Sequence, residues 1–270
     1  MANARLPHLK FSLTVGAGLT ALVAAFLVFL TREPEFDGRN LMQWLEIGTT
    51  NFAAASNTLA RIGTNSLPFV LKWTGAEPEP ANRKPPGYLL KLPRPIRAKS
   101  MGYWMSHDDT ERRAALARVA LRALQGKACS IVPELKAMTY KKPPSPVPWR
   151  AIQALGAMGT NSFPVLLDIL REPDHPCRAG AATIIGDMLQ KYPSLGAVAD
   201  PVLAKCLNET DTLLVMRASS AVDHDHANLA LVIPPLIRNL TNDDVLIRLS
   251  ATNALSDLAP QCLAAPQGGR

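Results

Sequence analysis

The sequence predicts an all-α chain: an α-solenoid of about five to six stacked helix pairs, preceded by one N-terminal transmembrane helix. Three observations predict it. Ala and Leu lead a hydrophobic content of 47%, while aromatic residues make up only 6%. That balance favours helix over strand, because Ala and Leu are strong helix formers and the strand-favouring residues are sparse. The 23 prolines exclude long uninterrupted helices but suit many short ones that carry Pro in the first turn. The third observation is an internal repeat. Gly63-Thr-Asn-Ser-Leu-Pro-Phe-Val-Leu-Lys-Trp73 recurs as Gly159-Thr-Asn-Ser-Phe-Pro-Val-Leu-Leu-Asp-Ile169.

The N-terminal element comes first in the chain. Phe11 to Leu30 contains no charged side chain, and twenty such residues as a helix span about 30 Å, the thickness of a bilayer core. Arg5 and Lys10 precede the run; Arg32, Glu33, Glu35 and Asp37 follow it. By the positive-inside rule, residues 1–10 stay cytoplasmic and the array after the anchor is periplasmic or otherwise extracytoplasmic. A cleaved signal peptide is the rival reading, since Val23-Ala24-Ala25 offers small residues to a peptidase. Against it, Phe26 to Leu30 extends the apolar run past that point, beyond the roughly 7–15 residues of a signal-peptide core. A buried core helix of a soluble protein is the third reading. Residues 31–50 then form a juxtamembrane linker and a short capping helix.

The array is expected over 51–263, with 264–270 a flexible tail. Weaker copies of the repeat are Ile131-Val-Pro-Glu-Leu135, Val198 to Leu203 and Val232 to Leu236. The marker prolines are Pro68, Pro133, Pro164, Pro201 and Pro234; the first interval is roughly twice the others, as an insertion would make it. Each copy has a mechanism. Gly63 and Gly159 supply the left-handed conformation that ends a helix. Thr, Asn and Ser beside them cap the next helix. Phe163, Leu166, Leu167 and Leu170 then recur at helical spacing. Upstream lies a second helix in which Arg113, Arg150, Arg178 and Arg217 are each followed four residues later by Ala117, Ala154, Ala182 and Ala221; Arg248 and Thr252 end the series. One such pair cannot bury its own apolar face, and stacking on neighbours completes the core.

An Arg-x-x-x-Ala first helix, a Gly-containing turn and a Pro-marked second helix together resemble HEAT repeats. The likeness is strongest to the Ala-rich bacterial kind related to phycobilisome-lyase HEAT-like repeats. Asp37-Gly-Arg-Asn-Leu-Met-Gln-Trp-Leu45 is similar to the short segment preceding such arrays in membrane-anchored bacterial proteins. The resemblance spans roughly residues 37–263. It implies a fold and leaves function open, because such arrays serve as scaffolds, lyases and nucleic-acid binders alike.

Residues 75–106 form a Pro-rich basic insert, with Arg83, Lys84, Lys91, Arg94, Arg97 and Lys99 against Glu77 and Glu79. It reads either as a patch that touches lipid headgroups or a partner, or as a solvated spacer. Lys141 to Pro148 is a second break. There is no phosphate-binding Gly-rich loop, HExxH, CxxC or nucleophile elbow, so the chain is expected to be no enzyme and to need no cofactor. Asp223-His224-Asp225-His226 is the most metal-like cluster, but neighbouring helix residues point in different directions and no further His is close in sequence; a polar turn is expected there, and no metal. His107 and His175 read as turn and capping residues. Of Cys129, Cys177, Cys206 and Cys262, the pair Cys177 and Cys206 sits at ends of one helix pair that would meet, so a disulfide is one reading there if the array is exported; small buried apolar residues are the other.

Four residues after a marker Pro stand Lys72, Asp168, Lys205 and Arg238. Stacked units would align them as a charged strip on the second helices, the candidate partner-binding surface; an ordinary wet helix face is the other reading. The net charge of +7 favours acidic partners or anionic headgroups. The function expected is a non-catalytic, membrane-tethered scaffold for a protein partner, with no nucleic acid and no small-molecule substrate. The alternatives are a lyase-type HEAT-like enzyme or a nucleic-acid-binding array.

Overall fold

The computed structural model describes residues 33–78, 87–97, 109–222 and 227–264. The expected anchor at 11–30, most of the basic insert, His107, the Asp223–His226 segment and the tail beyond 264 lie outside the described residues. Among the described residues no helix is long and apolar enough to cross a membrane.

The described residues are all-α apart from one small hairpin. Strands β1 (Glu35–Phe36) and β2 (Arg39–Asn40) pair antiparallel, Glu35 opposite Asn40. Asp37 and Gly38 turn between them with φ of 51° and 71°, the twist that two-residue hairpins prefer. The sequence reading had taken this stretch as linker. Asn40 then caps α1 (Leu41–Thr50): its side chain accepts from the Gln43 N–H, and Gln43 reaches back to the Asn40 N–H. That reciprocal box satisfies two donors that a helix start leaves free.

Helices now follow in pairs. α2 (Phe52–Ile62) precedes α3 (Leu67–Thr74), and the helical turn α4 (Gly87–Leu90) lies in the insert, burying Leu89. The next pairs are α5 (Thr110–Leu124) with α6 (Val132–Met138), then α7 (Val147–Ala157) with α8 (Phe163–Arg171). α9 (Arg178–Lys191) is followed by α10 (Gly196–Cys206), α11 (Thr212–Ala221) by α12 (Leu229–Asn239), and α13 (Val245–Ala264) ends the series. The first helices of successive pairs touch in order: α2 on α5, α5 on α7, α7 on α9, α9 on α11, α11 on α13. Each second helix packs against the first helix of the next pair. One continuous core, from Leu41 to Leu258, threads all of them.

The repeated turn behaves as its glycine demands. Gly63 and Gly159 have φ of 62° and 66° and open short 3-10 turns, Gly63–Ser66 and Gly159–Ser162. The serines do not cap the following helices by accepting. Ser66 Oγ donates to the Gly63 carbonyl at 2.8 Å, and Ser162 Oγ to those of Gly159 and Leu155. They close the turn behind them instead. A third such turn begins at Gln125, with φ of 45°; a side-chain-bearing residue hid it in the sequence. Pro68, Pro133 and Pro164 stand in first turns, as expected. Pro201 and Pro234 instead lie inside α10 and α12, which start earlier.

The Arg-x-x-x-Ala register needs correction. Buried positions recur through Ala117, Ala151, Ala181, Ala218 and Ala251, and again through Leu121, Leu155, Ile185 and Val222. In that register the arginines are not equivalent. Arg217 and Thr252 are exposed, and Arg248 donates to the Asn242 and Asp243 carbonyls. Ala-rich helices supply Ala four residues after many an arginine, so the pattern carried little information. Close approach through small residues does hold: a Cβ on Gly156 would lie 2.6 Å from Ile184 Cγ2, and one on Gly186 2.9 Å from the Ala221 Cα.

Candidate functional site

The four strip residues, Lys72, Asp168, Lys205 and Arg238, are all exposed on second helices. Asp168 pairs with Arg171 one turn on, at 3.3 Å, and Arg238 Nη1 donates to Asn208 Oδ1 at 2.6 Å. Among the described residues, no hydrogen bond or ion pair joins any two of the four. Arg238 borders a cleft of about 340 Å³ that also holds Glu209 and Asp243, so the local charge is mixed.

The expected Cys177–Cys206 disulfide is not formed; both thiols are free. Each faces its own neighbour. Cys177 Sγ donates to the Thr139 carbonyl at 3.3 Å, and Cys206 Sγ lies 4.0 Å from Arg178 Nη2. Burial pushes both thiols up to about 11, which leaves them protonated and unreactive at neutral pH. Among the described residues no group of His, Cys, Asp and Glu is placed to hold a metal.

The loop-bearing edge of the molecule is crossed by polar ties between successive pairs. Arg150 is 2% exposed. Its Nε and Nη2 donate to Glu111 Oε1 at 3.1 and 2.7 Å, and its Nη1 to the Ala76 carbonyl. Glu77 beside it accepts from Lys141 and Ser145, and those bonds hold its carboxyl below the usual range. His175, read as a turn residue, is 4% exposed. Its Nδ1 accepts from the Cys177 N–H at 3.0 Å. That assigns the proton to Nε2, which stands 3.0 Å from Thr139 Oγ1. Burial lowers its pKa, opposed by nearby Glu172. Tyr140 lies against the same ring and donates to Glu172, which raises the phenol's pKa. Arg178 grips Glu209 with both Nη atoms.

The first helices border a concavity of their own. A groove of about 830 Å³ runs from the end of α1 across α5 and α7 to the end of α9. Gly48, Gly156 and Gly159 are among its lining, and a Cβ on Gly48 or Gly156 would meet Val119 or Ile184 within 3 Å. Its partly exposed apolar lining is Ala115, Val119, Ala157 and Ile184, with Met158 and Met188 buried beneath. Arg118 enters it half-buried, with Nη1 donating to Gln153 Oε1 at 2.8 Å. Burial first, and Arg150 behind it, pull the Arg118 guanidinium below its ordinary pKa, while Glu111 raises it; it remains charged. Arg122 lies 4.7 Å over the Phe52 ring and Lys191 5.2 Å over that of Tyr192. Asp187 is the groove's one carboxylate, and no histidine, cysteine or serine lines it. Such a lining can hold a ligand but offers no nucleophile paired with a base.

No family model, no curated protein and no solved structure matches this chain. Sequence reasoning missed the groove because its lining is drawn from four helices far apart in the chain. The one local signal was Gly156 within an otherwise regular helical stretch, which marks a close approach.

Proposed function

We propose that this chain is a membrane-tethered, non-catalytic scaffold of HEAT-like helix pairs that holds a protein partner in the groove along its first helices. The observation that carries the reading is the groove itself: continuous over α5, α7 and α9, apolar along one wall and cationic at its rim. Order between successive pairs supports the solenoid, because each first helix contacts the next. The apolar run at 11–30 and the charges around it support the anchor and an exported array. The likeness to phycobilisome-lyase HEAT-like repeats supports the fold, and among the described residues no groove hydroxyl is hydrogen-bonded to a side-chain base. A nucleic-acid array is disfavoured because, within the groove, Arg122 and Lys191 already lie over the Phe52 and Tyr192 rings, where bases would stack.

The test is a photo-activated cross-linker placed in the cell at Gln153, within the groove, and at Lys205, on the opposite edge. The expected outcome is one discrete cross-linked partner from Gln153, lost when Thr160→Trp fills the groove, and none from Lys205. Capture from Lys205 that survives Thr160→Trp would move the binding face to the second helices. A reporter fused after Arg270 fixes the orientation: activity only in the cytoplasm would reverse it.

A further inference from the structure

Arg112, Arg150, Arg171 and Arg178 each meet a carboxylate: Glu46, Glu111, Asp168 and Glu209. Among the described residues the groove cations form no such ion pair; Arg61 over Phe36 and Arg238 on Asn208 also lack one, but the groove gathers three. Among the described residues, Arg118 is hydrogen-bonded to a neutral amide, while Arg122 and Lys191 sit on aromatic rings. Three cations therefore surround one concavity with Asp187 as its single acid. Arg118 is also partly withdrawn from water, where a missing counter-charge costs most. The apolar wall beside them, Ala115, Val119, Ala157 and Ile184, is partly exposed, and apolar side chains of a partner would cover it.

We infer that the groove takes an acidic, partly apolar peptide segment of a partner protein, with carboxylates on Arg118, Arg122 and Lys191 and apolar side chains on Val119 and Ile184. This rests on the reading of the groove as the binding face and supplies the partner's chemistry. Charge decides where the segment comes from. In the sequence, residues 1–32 hold Arg5, Lys10 and Arg32 and no acid. Residues 79–86 hold Arg83 and Lys84 against Glu79, residues 98–108 balance Lys99 with Asp108, and residues 265–270 end in Arg270. None of these is net acidic. Asp223 to His226 is acidic, but its four residues are held at both ends by α11 and α12, too short to run the groove's length. Since none of these segments is complementary, the partner segment is assigned to another chain. Its capture would be steered by charge, so the on-rate falls as salt rises.

The experiment uses the full chain in lipid nanodiscs and three fluorescein-labelled peptides of about a dozen residues, alternating Leu with Glu, Gln or Lys. Fluorescence anisotropy is expected to show binding of the Glu peptide, at least tenfold weaker for the Gln peptide and absent for the Lys peptide. Arg118→Glu with Arg122→Glu is expected to weaken the Glu peptide by tenfold or more. Lys191→Glu, on an exposed side chain, does so without risk to the fold and is expected to weaken it severalfold. Equal binding of the Glu and Gln peptides that Thr160→Trp abolishes would overturn the acidic partner and leave the groove standing. Binding that Thr160→Trp does not touch would overturn the groove as well. Absence of binding by all three would overturn the inference.

Discussion

The two edges of the stack solve the same problem by opposite means. Along the first helices, neighbours are brought together by removing side chains: Gly156 lies against Ile184, and Gly186 against Ala221. Along the loop edge, neighbours are joined by adding polar bonds: Arg150 to Glu111 and Ala76, Thr139 to His175, Arg178 to Glu209, Asn239 to the Leu207 carbonyl. The difference teaches where a ligand has room. The polar edge spends its donors internally, whereas the glycine edge leaves a concavity with three cations and, among the described residues, Asp187 as its one acid. Spacing is set on one side and angle is secured on the other.

The largest break in that comparison is expected at a glycine. Gly186→Val places carbon within 3 Å of the Ala221 backbone, which cannot move aside as a flexible side chain would. Overpacking of this kind costs about 1–3 kcal/mol, and the thermal midpoint should fall by several degrees; an unchanged midpoint would show that the helices are not spaced there. On the polar edge, Arg150→Ala removes a fully buried side chain and its bond to Ala76. The expected loss is about 2 kcal/mol in chemical denaturation, while Arg150→Met, which keeps the volume, should recover part of it. If both variants melt alike, the bonds rather than the packing carry the tie.

Two smaller effects sharpen the picture. Gln125 holds a positive φ that only glycine adopts freely, so Gln125→Gly is expected to raise stability by about 1 kcal/mol. A loss instead would mean that the glutamine side chain matters more than its backbone. His175 gives a pH dependence. Its folded pKa lies below the unfolded value near 6.5, so the unfolded chain binds more protons in between. Its contribution is present above about pH 6.5 and is lost as pH falls through the folded pKa. His175→Gln should flatten that part of the stability profile, read as denaturation midpoints across mildly acidic pH.

Much of the fold was legible because turns are local. Gly63 and Gly159 announced themselves by repetition, and the backbone does there what glycine permits. Gln125 makes the same turn without the same letter, so it stayed hidden. Asp37-Gly38 is a hairpin signal, though the stretch reads as linker when only its closeness to an apolar run is considered. The arginine register misled because alanine is abundant in every first helix. The four residues of the charged strip are exposed on second helices, which is what any amphipathic helix offers. The groove was not legible at all. It arises where α1, α5, α7 and α9 meet, and which of their faces meet depends on the stacking register that the glycines set.

Arg150 has one more consequence. Its guanidinium touches Ala76 on one side and Glu111 on the other, so a single side chain staples the points where the long basic excursion departs and re-enters. Beyond the turn that buries Leu89, extra length there is tolerated: lengthening a closed loop twofold costs only about 0.6 kcal/mol. Foreign cargo grafted away from Leu89 would leave the packed helices undisturbed.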